Sequence, residues 1–423
     1  MQKNKEKTIL KQIISVFLKK TGVFSLAIII MLIQAKALGA EGRGLLAAIL
    51  VLPNLFVIIA EGGMRQATTY FLGKELVSKS EVINTSNVFF FFSAIVFTAL
   101  LYFFQSYTMP ELDNQLLFWS ILGVPFLVVN SGYRGVLLGF KKTKEFGNNL
   151  LIPKLCQTLL VSITFVIGFF DIYYAVAIFS IYCISNALLG YFSINKLSGA
   201  LNFRHFNFAL LVKMLKLGFI FGLSFFFINL NYQVGILVGK QELSPFELGN
   251  YALTLQIAEL VWQLPAAISV VFFSESMSKK VHDDEWVATI TKTSRVQIVL
   301  TAIMCIVAIP CAKYILPVIV GDDYVLVYKI LLYMTPGIVM MSVFKVINVD
   351  FAGRGKAWIS LTFMPIIAFF NYILSIKLAS VMGVNGLAIS VSLSYVFAAL
   401  LAVIVYSYLF KVNPLRFFIP KFN

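Results

Sequence analysis

The sequence predicts an all-α integral membrane protein with about twelve transmembrane helices, and its composition and apolar periodicity predict this together. Of the 423 residues, 60% are hydrophobic and only 13% are charged, whereas soluble proteins are roughly 45–50% apolar and about 25% charged. Apolar runs of about 20 residues, enough to span a bilayer as a helix, recur along the whole chain. Lipid offers no hydrogen-bond partners to an open strand, so these runs are predicted to be helices. The composition excludes a nucleic-acid-binding protein and argues against a soluble enzyme.

The predicted spans follow one another with short connections, after a basic N-terminal segment, Met1–Lys20. Their approximate ranges are 21–38, 44–71, 82–105, 115–139, 149–170, 172–195, 213–239, 248–274, 293–315, 325–349, 357–379 and 386–410. An even number of spans places both termini on the same side of the membrane.

Lysine and arginine predict which side is cytoplasmic. Only six of the 34 Lys and Arg residues lie near the connections opposite the termini. These six are Lys36, Arg43, Lys240, Lys313, Lys329 and Lys377. Basic residues concentrate in cytoplasmic loops, so both termini are predicted to be cytoplasmic. The net charge of +15 is therefore mostly an orientation signal.

Weak internal similarity predicts two lobes of six helices each. Gly44 and Gly249 each open a long apolar span after an acidic residue in the preceding loop, and Pro125 and Pro336 fall inside the fourth and tenth spans. Because six is even, the halves have the same predicted orientation, a parallel repeat that occurs in transporters with the substrate path between the halves. The predicted lobes are residues 1–200 and 201–423.

Basic residues within the spans are candidate substrate-binding residues, because a charge at the bilayer centre costs about 2.5–3.5 kcal/mol on insertion scales. From the helical rise, Arg65, Arg134 and Lys345 are predicted to lie within about 6–10 Å of the inner interface. They either snorkel to headgroups or form a cationic ring in a cavity open to the cytoplasm. Lys36, near the outer end of the first span, is a further candidate for lining the substrate path. Lys154 is interpreted as an anchor near the inner surface.

Three acidic residues are candidate sites for ion coupling. Glu61 precedes Arg65 by four residues, a spacing that also permits a local ion pair on one helical face. Glu259 lies in the eighth span, and Asp350, at the end of the tenth, is within reach of Arg354 at the same spacing. Each acid is thus either a coupling residue or part of a local interaction. The sequence leaves the coupling ion open between H⁺ and Na⁺.

No catalytic or metal site is predicted. The chain has two histidines, each in a polar stretch, so a Ser/His/Asp triad or a histidine–metal cluster is not expected. The four cysteines lie in apolar runs without metal-ligand spacing. We therefore predict a protein that is not an enzyme and has no cofactor or metal.

Five segments spread over the chain carry a family resemblance. Residues 38–74 (LGAEGRGLLAAILVLPNLFVIIAEGGMRQATTYFLGK) combine a Gly-x-x-x-x-Gly loop, a long span and a glycine followed by a small residue and an aromatic. The other segments are 246–265, 317–324, 353–356 and 383–388. In order and spacing they resemble bacterial oligosaccharide flippases, the O-antigen or Wzx-type polysaccharide biosynthesis family. The seventh span departs from the family pattern, since Gln233 and Gly235 replace an Arg and an Asp.

The resemblance implies the fold of the multidrug/oligosaccharidyl-lipid/polysaccharide exporter superfamily, two six-helix lobes around a cavity that opens alternately to each side. It implies a location in the bacterial cytoplasmic membrane. The implied substrate is undecaprenyl diphosphate carrying one oligosaccharide repeat of O-antigen or capsule, moved from the inner to the outer leaflet. Membrane lipids, glycosyltransferases and a glycan polymerase are the implied partners.

Two other functions stay open. A multidrug or cation antiporter of the same fold is expected to favour acidic rather than basic cavity residues. A membrane glycan polymerase or glycosyltransferase is expected to carry catalytic residues in a substantial outer loop, and the predicted outer loops are short.

Overall fold

The computed structural model describes residues 2–75, 77–198, 205–276 and 284–419, with side chains outside 2–18, 197–198 and 264–276. The described residues are almost entirely helical, and no strand occurs among them. The α-helices are α1 (Gln2–Glu61), α2 (Met64–Lys74), α3 (Lys79–Thr108), α4 (Asn114–Gly139), α5 (Thr143–Val166), α6 (Ile172–Ser198), α7 (Phe208–Glu242), α8 (Pro245–Ser276), α9 (Asp284–Pro310), α10 (Leu316–Val320), α11 (Val327–Gly353) and α12 (Trp358–Phe410). A π-helix, Cys311–Ile315, joins α9 to α10.

Nine stretches of the described chain are long and apolar enough to cross a membrane, so the protein is a multi-pass membrane protein. Lys19–Lys74 and Trp358–Phe410 contain 56 and 53 residues, more than twice the about 20 that one span needs. Gly39 (φ 61°) interrupts the first and Gly383 (φ 58°) the second, each where the sequence predicts a loop. A positive φ favours glycine, which has no Cβ to clash. Twelve spans and cytoplasmic termini stay predictions.

The chain divides into two compact units. Unit 1 consists of Met1–Leu38 and Ile49–Phe226, and unit 2 consists of Gly39–Ala48 and Phe227–Asn423. Helices α1 and α7 thus each contribute residues to both units. The predicted lobe boundary between residues 200 and 201 lies outside the described residues, so the predicted lobes stay a prediction.

In unit 1, α4 packs against α2, α3 and α6. Small residues allow this close approach, as is common between membrane helices. A side chain at Gly135 would collide with the backbone of Arg65 in α2, and a Cβ at Gly123 would lie only 3.0 Å from Cys183 Sγ in α6. The contact at Gly135 brings the neighbouring Arg134 beside Arg65.

In unit 2, α11 packs against α8, α9 and α12. The Gly337 backbone N–H donates a hydrogen bond of 2.9 Å to the Ser392 hydroxyl of α12. Asn371 of α12 donates through Nδ2 to the side-chain oxygen of Asn231 in α7, at 2.9 Å. Hydrogen bonds between polar side chains and neighbouring helices therefore join the spans within this unit.

Gly44 and Gly249, the two glycines that the sequence repeat pairs, pack against each other in unit 2. A Cβ at Gly44 would overlap the carbonyl oxygen of Pro245, and a Cβ at Gly249 would overlap that of Ala40. The backbones of α1 and α8 are therefore in direct contact, which side chains larger than hydrogen would prevent.

We expect Gly249→Ala to lower the apparent melting temperature of the purified protein in detergent, because overpacking a tight contact costs about 1–3 kcal/mol. The matched control is Gly73→Ala in α2, where an added Cβ meets nothing within 4 Å. The control is expected to leave the melting temperature unchanged or to raise it, since alanine favours helices by about 0.8–1.0 kcal/mol over glycine. Equal melting of the two variants would contradict the backbone contact.

Candidate functional site

Unit 1 contains a group of polar side chains within its spans, here called the unit 1 cluster. Five helices supply its members. The members are Glu61 of α1, Arg65 of α2, Ser131 and Arg134 of α4, Asn149 of α5 and Asn186 of α6.

A backbone break shapes one side of the unit 1 cluster. Gly62 (φ 48°) and Gly63 (φ 71°) separate α1 from α2. Across this break, Arg65 Nε lies 3.5 Å from Glu61 Oε2, so the local ion pair that the four-residue spacing permits is present, whereas a coupling role for Glu61 stays a prediction. The Ser131 hydroxyl donates to the other carboxylate oxygen of Glu61. The Arg65 side chain is 34% exposed, so it is only partly covered by its neighbours.

Arg134 is held by neutral amides. Its Nε donates to Asn149 Oδ1 at 2.9 Å, and its Nη2 donates to Asn186 Oδ1 at 3.0 Å. Arg65 and Glu61 are its charged neighbours. The two amide bonds use two of the five N–H donors of the guanidinium and leave its charge unneutralised. Arg134 is thus a cation fixed in place by two neutral amides.

Helix ends give the positions of the three predicted cations along their helices. Helix α2 ends at Lys74, nine residues beyond Arg65, and α11 ends at Gly353, eight residues beyond Lys345. Arg134 stands five residues before the end of α4. The depth of these residues below the inner interface, and the choice between snorkelling and a cationic ring, stay predictions.

Lys345, in unit 2, lies on aromatic rings. Its Nζ is 4.4 Å from the centroid of the Trp262 ring and 5.0 Å from that of Tyr232, a cation–π arrangement. The indole N–H of Trp262 donates to the Ile338 carbonyl at 3.0 Å, and Tyr395 packs against both rings. Among the described residues, no carboxylate oxygen lies within 4.0 Å of Lys345 Nζ.

Glu259 and Lys36 are both exposed. Glu259 stands three residues before Trp262 on α8 and interacts electrostatically with Lys345, and its coupling role stays a prediction. Lys36 makes no hydrogen bond or ion pair within the part of the chain that the structure describes. Because Lys36 and Arg65 belong to unit 1 and Lys345 to unit 2, the predicted cationic ring also stays a prediction.

Asp350 is fully buried and strongly hydrogen-bonded. Its Oδ2 accepts from Arg354 Nε at 2.9 Å and from the Tyr406 hydroxyl at 2.8 Å. Its Oδ1 accepts from the indole of Trp286 at 2.8 Å, and the Arg354 guanidinium lies 4.6 Å from the centroid of Phe410. The predicted local pairing with Arg354 is confirmed, whereas a coupling role for Asp350 stays a prediction.

Lys154, which the sequence predicts to be an anchor near the inner surface, lies in α5. It stands 11 residues after the first residue of α5 and 12 before the last, which places it in the middle of the helix. Its ammonium donates to Gln157 Oε1 at 3.0 Å and lies 5.3 Å from the ring centroid of Tyr182 in α6. Helix α5 begins at Thr143, six residues before the start of the apolar run, and the anchor role of Lys154 stays a prediction.

The sequence does not predict that amides hold Arg134 or that aromatic rings hold Lys345. Asn149 and Asn186 stand inside or at the edge of apolar runs, and such isolated amides are a signal for interhelical hydrogen bonds. Trp262 carries no comparable signal, because a tryptophan in an apolar run is also typical of ordinary packing.

Comparison with known proteins identifies the fold. No family model matches the sequence, and no curated protein matches it. An inward-facing multidrug resistance MATE family transporter of the MOP superfamily matches with a TM-score of 0.67 and 14% identity, over 94% of this chain and 99% of that one. The lipid II flippase MurJ, in an inward closed conformation, matches with a TM-score of 0.66 and 14% identity, over 96% and 89%.

A third similar structure is a MOP superfamily transporter from Pyrococcus furiosus Vc1, whose binding pocket has a reverse polarity that suggests a different function. It matches with a TM-score of 0.59 and 14% identity, over 95% of this chain and 96% of that one. At these identities the likeness concerns the fold alone. The chain has the fold of MOP superfamily transporters, and this confirms the predicted fold class at that level.

We expect Asp350→Asn to destabilise the protein strongly, because removing one partner of a buried ion pair costs about 3–5 kcal/mol. The measurement is the fraction of detergent-solubilised protein that stays monodisperse after heating. Asp322→Asn is the matched control, since Asp322 is exposed. Equal survival of the two variants would count against a structural ion pair at Asp350.

Proposed function

We propose that the protein is a lipid-linked oligosaccharide flippase of the bacterial cytoplasmic membrane. In this proposal it moves an undecaprenyl diphosphate-linked oligosaccharide repeat from the inner to the outer leaflet by alternating access, for the synthesis of O-antigen or capsule. Its functional partners are then the glycosyltransferases that build the repeat and the polymerase that joins the repeats.

The observation that carries this proposal is the excess of cations among the polar residues within the spans. In the unit 1 cluster, Arg65 and Arg134 face a single carboxylate, Glu61. In unit 2, Lys345 lies on aromatic rings with no carboxylate of the described residues within 4.0 Å. A diphosphate is the complementary cargo, since guanidinium groups bind phosphate oxygens through paired, charge-assisted hydrogen bonds.

Two similarities agree with this cargo. The fold is shared with a lipid II flippase, and the sequence resembles oligosaccharide flippases over several segments. The fold alone is equally compatible with a multidrug transporter. The positive charge of the unit 1 cluster and of Lys345 is therefore the argument that favours a flippase over a multidrug transporter.

A multidrug or cation antiporter is the second candidate, and Glu259 favours it. An exposed carboxylate three residues before Trp262 on the same helix is a combination that attracts organic cations through charge and cation–π contacts. Lys345, which interacts electrostatically with Glu259, opposes such a cargo, and we therefore favour the flippase.

We expect proteoliposomes that contain the protein to move a fluorescent polyprenyl diphosphate-linked disaccharide between leaflets. The assay measures how much fluorophore an impermeant reductant quenches from outside. Arg134→Gln and Lys345→Gln are each expected to slow the movement about tenfold, because a hydrogen bond to a charged group contributes about 1.5–3 kcal/mol and each 1.4 kcal/mol corresponds to a factor of ten.

Lys313→Gln is the matched control for this assay. Lys313 is exposed and also lies over tyrosine rings, 5.1 Å from Tyr314 and 5.5 Å from Tyr328, so the substitution removes a similar group outside the proposed site. The proposal fails if the wild-type protein leaves the lipid in its leaflet and instead exchanges ethidium for protons.

A further inference from the structure

Three aromatic rings from three helices meet in unit 2, and they are here called the aromatic cluster. They belong to Tyr232 of α7, Trp262 of α8 and Tyr395 of α12. Each ring centroid lies 5.7 or 5.8 Å from the other two, within the range of favourable contacts between rings. The Trp262 indole N–H also donates to the Ile338 carbonyl of α11 at 3.0 Å. Packing between helices and this hydrogen bond therefore fix the rings in place.

The ammonium of Lys345 lies on the aromatic cluster. Its Nζ is 4.4 Å from the centroid of Trp262 and 5.0 Å from that of Tyr232. No hydrogen bond or ion pair joins this ammonium to another residue of the described chain. Lys345 is half-buried, and a buried charge is costly unless it is paired. The faces of the two rings therefore supply the attraction that a carboxylate supplies to other buried cations.

Arg354 shows how the same unit holds a cation that contributes to packing. Its guanidinium lies 4.6 Å from the ring centroid of Phe410, and its Nε pairs with Asp350 Oδ2 at 2.9 Å. Lys345 has no such carboxylate among the described residues and lies on two rings. Aromatic faces that converge on an ammonium are the arrangement with which proteins recognise organic ammonium ligands. The geometry at Lys345 is therefore that of a ligand site whose ligand is a side chain of the same protein.

Glu259 adds a negative charge next to the aromatic cluster. It stands three residues before Trp262 on α8, a spacing that places two side chains on one helical face, and it is exposed. Ring faces and a carboxylate both attract positive charge. Without the ammonium of Lys345, this region would therefore attract a small organic cation more strongly than a neutral molecule of the same shape.

We propose that the aromatic cluster is a binding site for organic ammonium ions and that Lys345 occupies it, so that Lys345 excludes such cations from this site. Specificity can be built from an element that opposes the wrong ligand. Here the Lys345 ammonium fills the space on the rings and also repels a second positive charge. The inference goes beyond the proposed function, since it concerns a class of ligand that the protein rejects, and it holds for any anionic cargo.

The test opens this site and refills it with a free ligand. Lys345→Ala removes the ammonium and the methylene groups beyond Cβ, and n-propylammonium has the same heavy atoms as the part removed. Binding to the purified full-length protein in detergent is measured from the rise of the apparent melting temperature with ligand concentration. We expect n-propylammonium to bind Lys345→Ala about tenfold more tightly than the wild-type protein, because the ring faces become available to it. Equal binding to the two proteins would overturn the inference.

A neutral ligand separates a cation site from an apolar cavity. 1-Propanol has nearly the shape of n-propylammonium but no charge, so its affinity for Lys345→Ala is expected to stay within about twofold of that for the wild-type protein. If 1-propanol gains as much affinity as n-propylammonium, the rings line an apolar cavity and the inference is wrong.

Two variants control for the loss of a lysine as such. Lys345→Met removes the charge but still fills the space on the rings, so it is expected to bind n-propylammonium as weakly as the wild-type protein. Lys313→Ala removes an exposed lysine that lies over Tyr314 and Tyr328, outside the aromatic cluster, and is expected to do the same. A gain in either control as large as in Lys345→Ala would mean a general effect of charge and would overturn the inference.

A second substitution locates the site on the rings. Trp262→Leu, combined with Lys345→Ala, is expected to abolish the gain in affinity for n-propylammonium, because leucine offers no ring face to the cation. A gain that survives this change would place the ligand elsewhere and contradict the inference. Lys345→Ser opens the same space and takes the place of Lys345→Ala if that variant does not stay monodisperse.

The failure of this inference is distinguishable from the failure of the proposed function. If the wild-type protein moves the diphosphate-linked lipid but Lys345→Ala gains no affinity for n-propylammonium, the role of Lys345 at the aromatic cluster is wrong and the flippase proposal stands. If Lys345→Ala gains this affinity but the wild-type protein leaves the lipid in its leaflet, the inference holds and the flippase proposal fails.

Discussion

A bilayer supplies no hydrogen-bond partners, and every polar group that a span brings into it must find one within the protein. The helices satisfy their own backbones, so the constraint falls on side chains. In this protein it is met in two ways. Asp350 receives a guanidinium and two further donors, whereas Arg134 receives the oxygens of two amides.

These two solutions have different chemical consequences. An ion pair cancels both charges locally, so the Asp350–Arg354 pair adds little field to its surroundings. Amides orient and solvate a guanidinium but leave its positive charge in place, and in a medium of low dielectric constant that charge acts strongly on its neighbours. A site for an anion is therefore better built from amide-held cations than from ion pairs, and the aromatic rings around Lys345 follow the same logic.

Packing decides where these charges lie. Glycines along α4 let it approach its neighbours closely, and the contact of Gly135 with the backbone of Arg65 sets two arginines side by side. Glu61 relieves part of their repulsion from across the break at Gly62 and Gly63. In unit 1, the contacts made by glycines therefore set both the path of the backbone and the positions of the charged side chains.

The sequence predicts features that depend on local geometry, and it predicts them well. Helices follow from the length of apolar runs, and the pair at Asp350 follows from four-residue spacing on a helix. Glu61 and Arg65 have the same spacing and pair across the break at Gly62 and Gly63. Contacts between helices are different, because neither the amides around Arg134 nor the rings under Lys345 are near them in the chain.

The contact between Gly44 and Gly249 restricts how this sequence can diverge. Each glycine faces a backbone carbonyl of the other helix rather than a side chain, so a larger residue at one position cannot be compensated by a smaller residue opposite. A residue larger than glycine is therefore excluded at both positions for as long as the two helices keep this contact. The apolar residues around the two glycines pack through side chains, so a change in one of them can be accommodated by a change in its neighbour.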